Sequence, residues 1–207
     1  MKYIFVAGAP GSKWSSVVKN IYYSPSIDRS DYSEDRLYYH DASGKMELMH
    51  LGAYFDPGME SDIPEHLYHH TKEELEAIFD REFSGEGIRI IKSHVFSNNI
   101  NFIKATWPDC PIVLVHRPDD ACLGWWVKCG HFNITYPKYD QYYVDLKTMA
   151  QRIQEQNAAI VLANHEFKNH KQKPTTNIQL CDVLGIEHPT TTHIQHYQSN
   201  NIKVTVI

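Results

Sequence analysis

The sequence has no long hydrophobic run and no block of basic residues. No apolar stretch approaches the roughly 20 residues that a membrane-spanning helix needs, and the start MKYIFVAGAP lacks the long apolar segment of a signal peptide. We therefore expect no membrane partner and a cytoplasmic location. Because the formal net charge is −5 and no lysine or arginine cluster stands out, we also expect no nucleic-acid partner.

Cysteine is sparse, whereas histidine is plentiful. The four cysteines are Cys110, Cys122, Cys129 and Cys181. None of them has CxxC spacing, which favours free thiols in a reducing compartment over a disulfide framework. Thirteen histidines suggest a metal site, and His66, His69 and His70 could share one helical face. Because no second ligand cluster accompanies them, a polar surface segment is the preferred interpretation and no metal is expected.

The distribution of apolar residues predicts strands that alternate with helices. Short apolar runs at 3–7, 87–94 and 111–117 are typical of buried strands, and the last is almost continuously apolar, as in the middle of a parallel sheet. Helices are predicted from about 15 to 22 and from about 98 to 106. In a chain of 207 residues, this alternation predicts one α/β domain with a mainly parallel sheet flanked by helices.

Other elements are predicted from their end signals and periodicity. Thr71 and Glu74 have the spacing of a capping box, and Pro118 suits the first turn of a helix. A long amphipathic helix that ends within 165–174 is predicted from the apolar residues Leu146, Met149, Ile153, Ile160 and Val161. Residues 193–207 predict two strands about an Asn-Asn turn.

Residues 23–70 differ in character from the rest of the chain. They are polar, rich in tyrosine and punctuated by proline and glycine. The segment is too long for a plain loop in a compact domain. We expect an insertion with short elements that helps to form an acceptor-substrate site or a partner surface.

The stretch GAPGSKWSS at 8–16 joins the first strand to the first helix. A loop in this position offers backbone N–H groups and the positive end of a helix dipole to a phosphate, and Lys13 adds a charge. The nucleotide-kinase loop GxxxxGK[ST] is not matched, because Ser12 precedes Lys13 and Trp14 follows it. A glycine-serine turn that only caps the helix is the structural alternative.

Three segments together resemble the PAPS-dependent sulfotransferases, which have a P-loop-like fold. Lys92, Ser93 and His94 resemble the Lys-Thr-His segment of that family, in which the histidine is the general base. The stretch IVLVHRPDD resembles the family's 3′-phosphate segment, and its Arg117 lies 23 residues after His94. The stretch at 8–16 is similar to the family's 5′-phosphosulfate loop.

The chain departs from the family pattern in five respects. Gly11 stands where the family has its loop lysine or arginine, and Lys13 stands where it has glycine. Trp14 precedes two serines, whereas the family's tryptophan follows two threonines. Gly124 takes the place of a serine that contacts the 3′-phosphate, and a late glycine-rich Arg-Lys-Gly segment is missing from the sequence.

The resemblance implies transfer of a sulfuryl group from PAPS to a hydroxyl or amine of a small-molecule or glycan acceptor, which leaves 3′,5′-phosphoadenosine. His94 would be the general base, Lys13 and Lys92 would stabilise the leaving phosphate, and Arg117 would bind the 3′-phosphate without any metal. The other cofactor-binding candidates are Pro10, Gly11, Ser12, Trp14, Ser15, Ser16 and Gly124.

Two other functions compete with sulfuryl transfer. The opening GAPGS also resembles the start of adenylate kinases, which would predict magnesium-dependent turnover of ATP. A non-catalytic nucleotide-binding protein of the same fold is the second alternative, because Gly11 and Gly124 depart from the family pattern. Apart from these functions, the structural alternative for His94 is a hydrogen-bonded histidine at a strand end, and that for Arg117 is a surface ion pair with Asp119 or Asp120.

Overall fold

The computed structural model describes residues 1–31, 37–40, 45–48, 53–56, 63–128, 143–190 and 193–207. Its strands are β1 (Tyr3–Gly8), β2 (Leu37–His40), β3 (Lys45–Leu48), β4 (Ala53–Tyr54), β5 (Arg89–Lys92), β6 (Ile112–His116) and β7 (Lys203–Val206). The main sheet has the order β4-β5-β1-β6-β7. Its first four strands are parallel to one another, and β7 is antiparallel to β6. The predicted α/β fold with a mainly parallel sheet is therefore confirmed.

The helices lie on both faces of this sheet. They are α1 (Trp14–Tyr22), α2 (Lys72–Asp80), α3 (Ile100–Thr106), α4 (Asp119–Lys128), α5 (Leu146–Glu166) and α6 (Asn177–Leu184). Short 3₁₀ helices occur at Leu67–His69, His94–Asn98 and Tyr197–Asn200. None of the helices within the described ranges is long and apolar enough to cross a membrane.

The central strand β1 divides the hydrophobic core into two clusters. All six of its residues are buried, and successive side chains of a strand point to opposite faces. Ile4 and Val6 pack with α1, α4 and α6, whereas Tyr3, Phe5 and Ala7 pack with α2 and α3. Helix α5 contributes apolar side chains to both clusters.

Helix α2 begins as predicted from the capping-box spacing. The Glu74 N–H donates to Thr71 Oγ1 at 3.2 Å, and the Thr71 N–H donates to Glu74 Oε2 at 2.9 Å. Two unpaired donors at the start of the helix are thereby satisfied. Leu75 and Phe79 are fully buried beneath the helix, and Ile78 packs against the same core.

The segment 23–70 contributes to the structure in several places. Strands β2 and β3 pair as an antiparallel two-stranded sheet of their own. Strand β4 instead joins the main sheet as a two-residue edge strand beside β5. Ile27 adds a single parallel bridge to Ile88. Strand β4 thus brings Phe55 and Asp56 to the carboxyl edge of the main sheet.

The prediction of two strands at 193–207 is wrong, since only the second strand forms. His196 makes an isolated bridge to Thr176, and the Tyr197 N–H donates to the carbonyl of Thr175 at 3.0 Å. These contacts hold the segment against the start of α6, where no continuous strand partner exists among the described residues. Asn201 then adopts a left-handed conformation (φ 56°) and turns the chain into β7.

Helix α5 begins at Leu146 and ends at Glu166, within the predicted range. Its buried residues include Met149, Ile153 and Ile160, as the stripe predicted. Leu146 and Val161 are wrongly included in that stripe, because they are 48% and 55% exposed. Val161 follows Ile160 directly and is therefore rotated by about 100° from it around the helix.

Candidate functional site

The predicted site residues follow three neighbouring strands, β1, β5 and β6. These strands are parallel, so their carboxyl ends lie at the same edge of the sheet. The loop at 9–13 follows β1, His94 begins the 3₁₀ helix just after β5, and Arg117 follows β6. The strand predicted at 87–94 stops at Lys92, so Ser93 and His94 leave the sheet at this edge. Ligands of open α/β sheets bind in this position.

The backbone of the loop explains why residue 11 is glycine. Gly11 has a φ of 77°, a conformation that strongly favours glycine. A Cβ at this position would lie 2.1 Å from the carbonyl oxygen of Cys122 on α4. Since a real Cβ does not approach backbone that closely, the lysine or arginine of the sulfotransferase loop cannot occupy this position without movement of α4.

Lys13 directs its amine across the loop toward α4 and the C-terminal 3₁₀ helix. Its Nζ donates to Asn200 Oδ1 at 3.0 Å and lies 4.1 Å from the centroid of the Trp125 ring. A cation over an aromatic face is attracted by the ring quadrupole. Lys13 also has a left-handed backbone (φ 61°) and stands immediately before the first residue of α1.

Arg117 connects the same three elements through its guanidinium group. Nη1 donates to the carbonyls of Gly11 at 3.0 Å and Ala121 at 2.8 Å, and Nε donates to the carbonyl of Asn200 at 3.2 Å. Nη2 makes no hydrogen bond with the described residues. The surface ion pair with Asp119 or Asp120 is not formed, and Asp119 instead accepts from Asn157 Nδ2 at 2.6 Å.

His94 is buried beneath the loop, with only 3% of its surface exposed. Its ring stacks on Trp14 at a centroid distance of 3.9 Å. Nδ1 donates to the carbonyl of Gly8, which places the proton of the neutral ring on Nδ1 and the lone pair on Nε2. Burial lowers the pKa of His94 below its ordinary value of 6.5, and the charge of Asp56 opposes that effect. The ring is therefore neutral at pH 7.

Asp56 is a fully buried carboxylate beside His94. Oδ1 accepts from Ser93 Oγ at 2.6 Å and from the His94 N–H at 2.7 Å. Oδ2 accepts from the Tyr143 hydroxyl at 3.2 Å and lies 3.8 Å from His94 Nε2. These contacts offset the cost of burying the charge. They also place a proton-accepting group next to the ring nitrogen that carries the lone pair.

Lys92 lies in β5 beside Val6 of β1 and is completely buried. Its positive charge is one of the influences that lower the pKa of His94. Lys92 and His94 are therefore close enough to interact electrostatically.

The other predicted cofactor residues divide into buried and accessible groups. Pro10, Ser12 and Trp14 are buried, and the hydroxyl of Ser12 has no hydrogen-bond partner among the described residues. Ser15 and Ser16 are half-buried, and Ser16 Oγ donates to the carbonyl of Lys13 at 2.9 Å. Gly124 is exposed on α4, and a Cβ there would meet no atom within 4 Å.

The described residues contain no group of three or more His, Cys, Asp or Glu side chains that could hold a metal ion. The rings of His66 and His69 are 6.1 Å apart and nearly perpendicular. Cys110, Cys122 and Cys181 are buried free thiols, and Cys129 lies outside the described residues.

Comparison of the chain with protein families, with curated proteins and with solved structures found no match.

Three residues of the site are missing from the predictions. In the sequence, Asp56 follows the apolar stretch AYF and precedes the dipeptide Pro-Gly, a pattern that is typical of a carboxylate at the end of a strand. Tyr143 and Asn200 have no comparable sequence signal, because tertiary contacts alone bring them to Asp56 and Lys13.

Proposed function

We propose that this chain transfers a sulfuryl group from PAPS to a hydroxyl or amine of a small acceptor or glycan. In this reaction the acceptor oxygen or nitrogen bonds to sulfur while the bond from sulfur to the 5′-phosphate oxygen breaks. The acceptor proton goes to His94, and 3′,5′-phosphoadenosine leaves. The P-loop-like architecture of the sulfotransferases is part of the same proposal.

The observation that carries the proposal is the meeting of Lys13 and Arg117 at one loop. Lys13 belongs to that loop, and Arg117 donates to the carbonyl of Gly11 within it. Two cations beside a strand-to-helix loop suit a ligand with two phosphates, because the helix start adds its own positive potential. Lys13 and Arg117 are both partly exposed, so such a ligand has access to both cations.

The proposed role of His94 as the general base is supported by its tautomer and its protonation state. A general base must be unprotonated at the working pH and must have its lone pair in a defined direction. The lowered pKa of His94 and the hydrogen bond from Nδ1 to Gly8 meet these two requirements at Nε2. Because the ring is buried, an acceptor reaches Nε2 only after a covering side chain such as Tyr143 moves.

A non-catalytic nucleotide-binding protein is the second candidate, and two observations favour it. His94 is 3% exposed, and three donor positions of Arg117 are already used for backbone carbonyls. Both groups would then stabilise the loop, and a nucleotide would bind without reacting. The two candidates differ in turnover but not in cofactor binding.

Cofactor recognition is tested by thermal unfolding with 3′,5′-phosphoadenosine and, separately, with ATP and magnesium. A ligand that binds only the native state raises the melting temperature by mass action. We expect the larger rise with 3′,5′-phosphoadenosine, since Trp14 occupies the position of the magnesium-binding hydroxyl of kinases. A larger rise with ATP would favour the kinase. Incubation with ³⁵S-labelled PAPS and an acceptor library then separates the enzyme from the binding protein.

Replacement of the loop lysine, Lys13→Ala, should weaken binding of 3′,5′-phosphoadenosine by about tenfold or more, because a charge-assisted hydrogen bond to phosphate is lost. Calorimetric titration measures this change. Lys19→Ala is the matched control, since Lys19 is exposed at the other end of α1. Equal affinity of Lys13→Ala and the parent would show that Lys13 does not contact the nucleotide.

A further inference from the structure

A cavity lies beside β7 and the C-terminal 3₁₀ helix. We call it the β7 cavity, and its volume is about 340 Å³. It is lined by β7, by the end of α5 and by the segment 171–175 before α6. Neither Lys13 nor Arg117 lines it, so it is separate from the candidate site described above.

The polar lining of the β7 cavity is basic. Lys171, Lys173 and Lys203 line it together with His116, and its described lining includes no aspartate or glutamate. Lys171 Nζ donates to the backbone carbonyl of Asn164, and none of the three lysines forms an ion pair with a described acidic residue. The chain as a whole has a net charge of −5, whereas the lining of this cavity is positively charged. Such a local positive charge attracts anions.

Apolar side chains form the remainder of the wall. Val161 is 55% exposed although it lines the cavity, and Ile202 and Val204 are buried behind it. Ligand pockets typically have volumes of about 300–1,000 Å³ and combine an apolar lining with a few polar groups. The β7 cavity has that size and that composition, and Val161 lies where an apolar part of a ligand would cover it.

Two polar atoms of the lining residues have no hydrogen-bond partner within the described chain. The hydroxyl of Tyr197 is buried in a residue that is only 1% exposed, and the Oδ1 atom of Asn164 is buried as well. A buried polar group without a partner costs free energy. Both residues line the cavity, but these two atoms lie within its wall rather than at its surface.

We propose that the β7 cavity binds a small organic anion, with one phosphate or carboxylate group held by Lys173 and Lys203 and an apolar body packed on Val161 and Val204. This site does not depend on the function proposed for the loop at 9–13. Phosphate and carboxylate share the chemistry that the lysines recognise, and a direct comparison of probes distinguishes them.

The test is calorimetric titration of the full chain with phenyl phosphate, benzoate and the neutral analogue benzyl alcohol. We expect saturable binding of at least one anion with a stoichiometry of one, and no measurable binding of benzyl alcohol. Tighter binding of phenyl phosphate identifies a phosphate ester as the natural class, and tighter binding of benzoate identifies a carboxylate. Failure of both anions to bind at millimolar concentration would overturn the proposal.

Variants locate the binding within the cavity. The double variant Lys173→Gln/Lys203→Gln should lose about tenfold or more in affinity, and Val161→Glu should lose a similar amount by placing a like charge beside the anion. Because these three side chains are exposed or half-exposed, the variants are expected to fold. Lys168→Gln, at an exposed lysine outside the cavity, should bind as the parent does.

A further variant separates this site from the loop. Lys13→Ala should retain the anion binding of the parent, even if 3′,5′-phosphoadenosine binding is lost. If Lys13→Ala abolishes binding of phenyl phosphate while the double lysine variant retains it, the anion binds at the loop and the β7 cavity is not a site.

Discussion

At the scale of single residues, the pair of Asp56 and His94 holds most of the candidate chemistry. The backbone N–H of His94 and the hydroxyl of Ser93 both donate to one oxygen of Asp56, and the other oxygen faces the histidine ring. The ring is thus positioned by the hydrogen bond from Nδ1 to the Gly8 carbonyl, and Asp56 Oδ2 lies 3.8 Å from Nε2. This pairing supports the proposed role of His94 as the general base.

Replacement of His94, the proposed general base, should greatly slow sulfuryl transfer without weakening cofactor binding. In His94→Asn the amide replaces Nδ1 as donor to Gly8, whereas no basic nitrogen remains. We expect single-turnover transfer from PAPS to fall by about 10²- to 10⁴-fold, with affinity for 3′,5′-phosphoadenosine nearly unchanged by calorimetry. His170→Asn, at an exposed histidine, is the control. Near-parental turnover in His94→Asn would leave His94 with a structural role only.

The pH dependence of the parent follows from the same histidine. Since burial lowers the pKa of His94 below 6.5, the ring is unprotonated throughout the neutral range. The transfer rate should rise with pH through that lowered pKa and stay level above 6.5. A rate profile whose acid limb is centred above 6.5 would contradict His94 as the base.

Gly124 offers a gain-of-function test for the 3′-phosphate site. A Cβ at this position meets no atom within 4 Å, so a serine fits without strain. Gly124→Ser and Gly124→Ala should both stabilise α4, by up to about 1 kcal/mol for alanine. Only the serine adds a hydroxyl, and we expect it alone to tighten binding of 3′,5′-phosphoadenosine, by about three- to tenfold. Equal affinities of the two variants would exclude a 3′-phosphate near Gly124.

At the scale of elements, the loop after β1 and helix α4 are joined by a backbone contact. Gly11→Ala must both adopt a left-handed conformation and displace the carbonyl of Cys122. Gly185 is a matched control, because it has a similar φ of 65° with no atom near its missing Cβ. We expect urea unfolding to show a loss of about 1 kcal/mol for Gly185→Ala and at least about 2 kcal/mol for Gly11→Ala. Equal losses of unfolding free energy in the two variants would mean that α4 moves away from position 11 without a cost in stability.

Elements with local signals were predictable from the sequence. Strand β1 is a buried apolar run, and α2 has a capping box whose two hydrogen bonds both form. Helix α6 has equally local signals, with Thr176 at the N-cap and Gly185 in a left-handed conformation after the last turn, but it was not predicted. The first strand predicted within 193–207 failed because a strand needs a partner, and no local pattern reveals whether one is present.

The site was predictable in its position but not in its contacts. The parallel order of β5, β1 and β6 follows from the alternation of strands and helices, and it brings Lys13, His94 and Arg117 to one edge. The partners of these residues come from distant parts of the chain. Asp56 lies in the segment predicted to be an insertion, and Asn200 lies in the segment predicted to be a strand.

At the scale of the whole molecule, the opposite edge of the sheet holds a charged network that stabilises the fold. Asp80 at the end of α2 accepts from Lys2 Nζ at 2.7 Å, Tyr3 Oη at 2.7 Å and Arg89 Nη1 at 2.5 Å. Burial by itself would raise the pKa of Asp80, but these hydrogen bonds outweigh it and hold the pKa below its ordinary value of 3.8. The amino ends of β1 and β5 are thereby tied to α2.

Acid unfolding tests this network. A depressed carboxyl pKa stabilises the native state above the ordinary value of 3.8, and the effect is lost as the pH falls through the lower native pKa. Asp80→Asn should therefore reduce the free energy of unfolding at neutral pH, by roughly 1–2 kcal/mol since the carboxylate is partly exposed. The difference from the parent should shrink below pH 3.8. A difference that stays constant down to strongly acidic pH, or one no larger than that of the exposed Asp109→Asn, would contradict this role.

The contact between Gly11 and Cys122 also constrains how related sequences can vary. A relative of this chain with a side chain at position 11 must hold α4 further from the loop, or begin it later, to make room for the Cβ. Under the proposed function, such a relative could carry its phosphate-binding cation at position 11, whereas one that keeps the glycine would carry it at position 13. Positions 11 and 13 should therefore change together across relatives, with a basic residue at one of them and a glycine or small residue at the other.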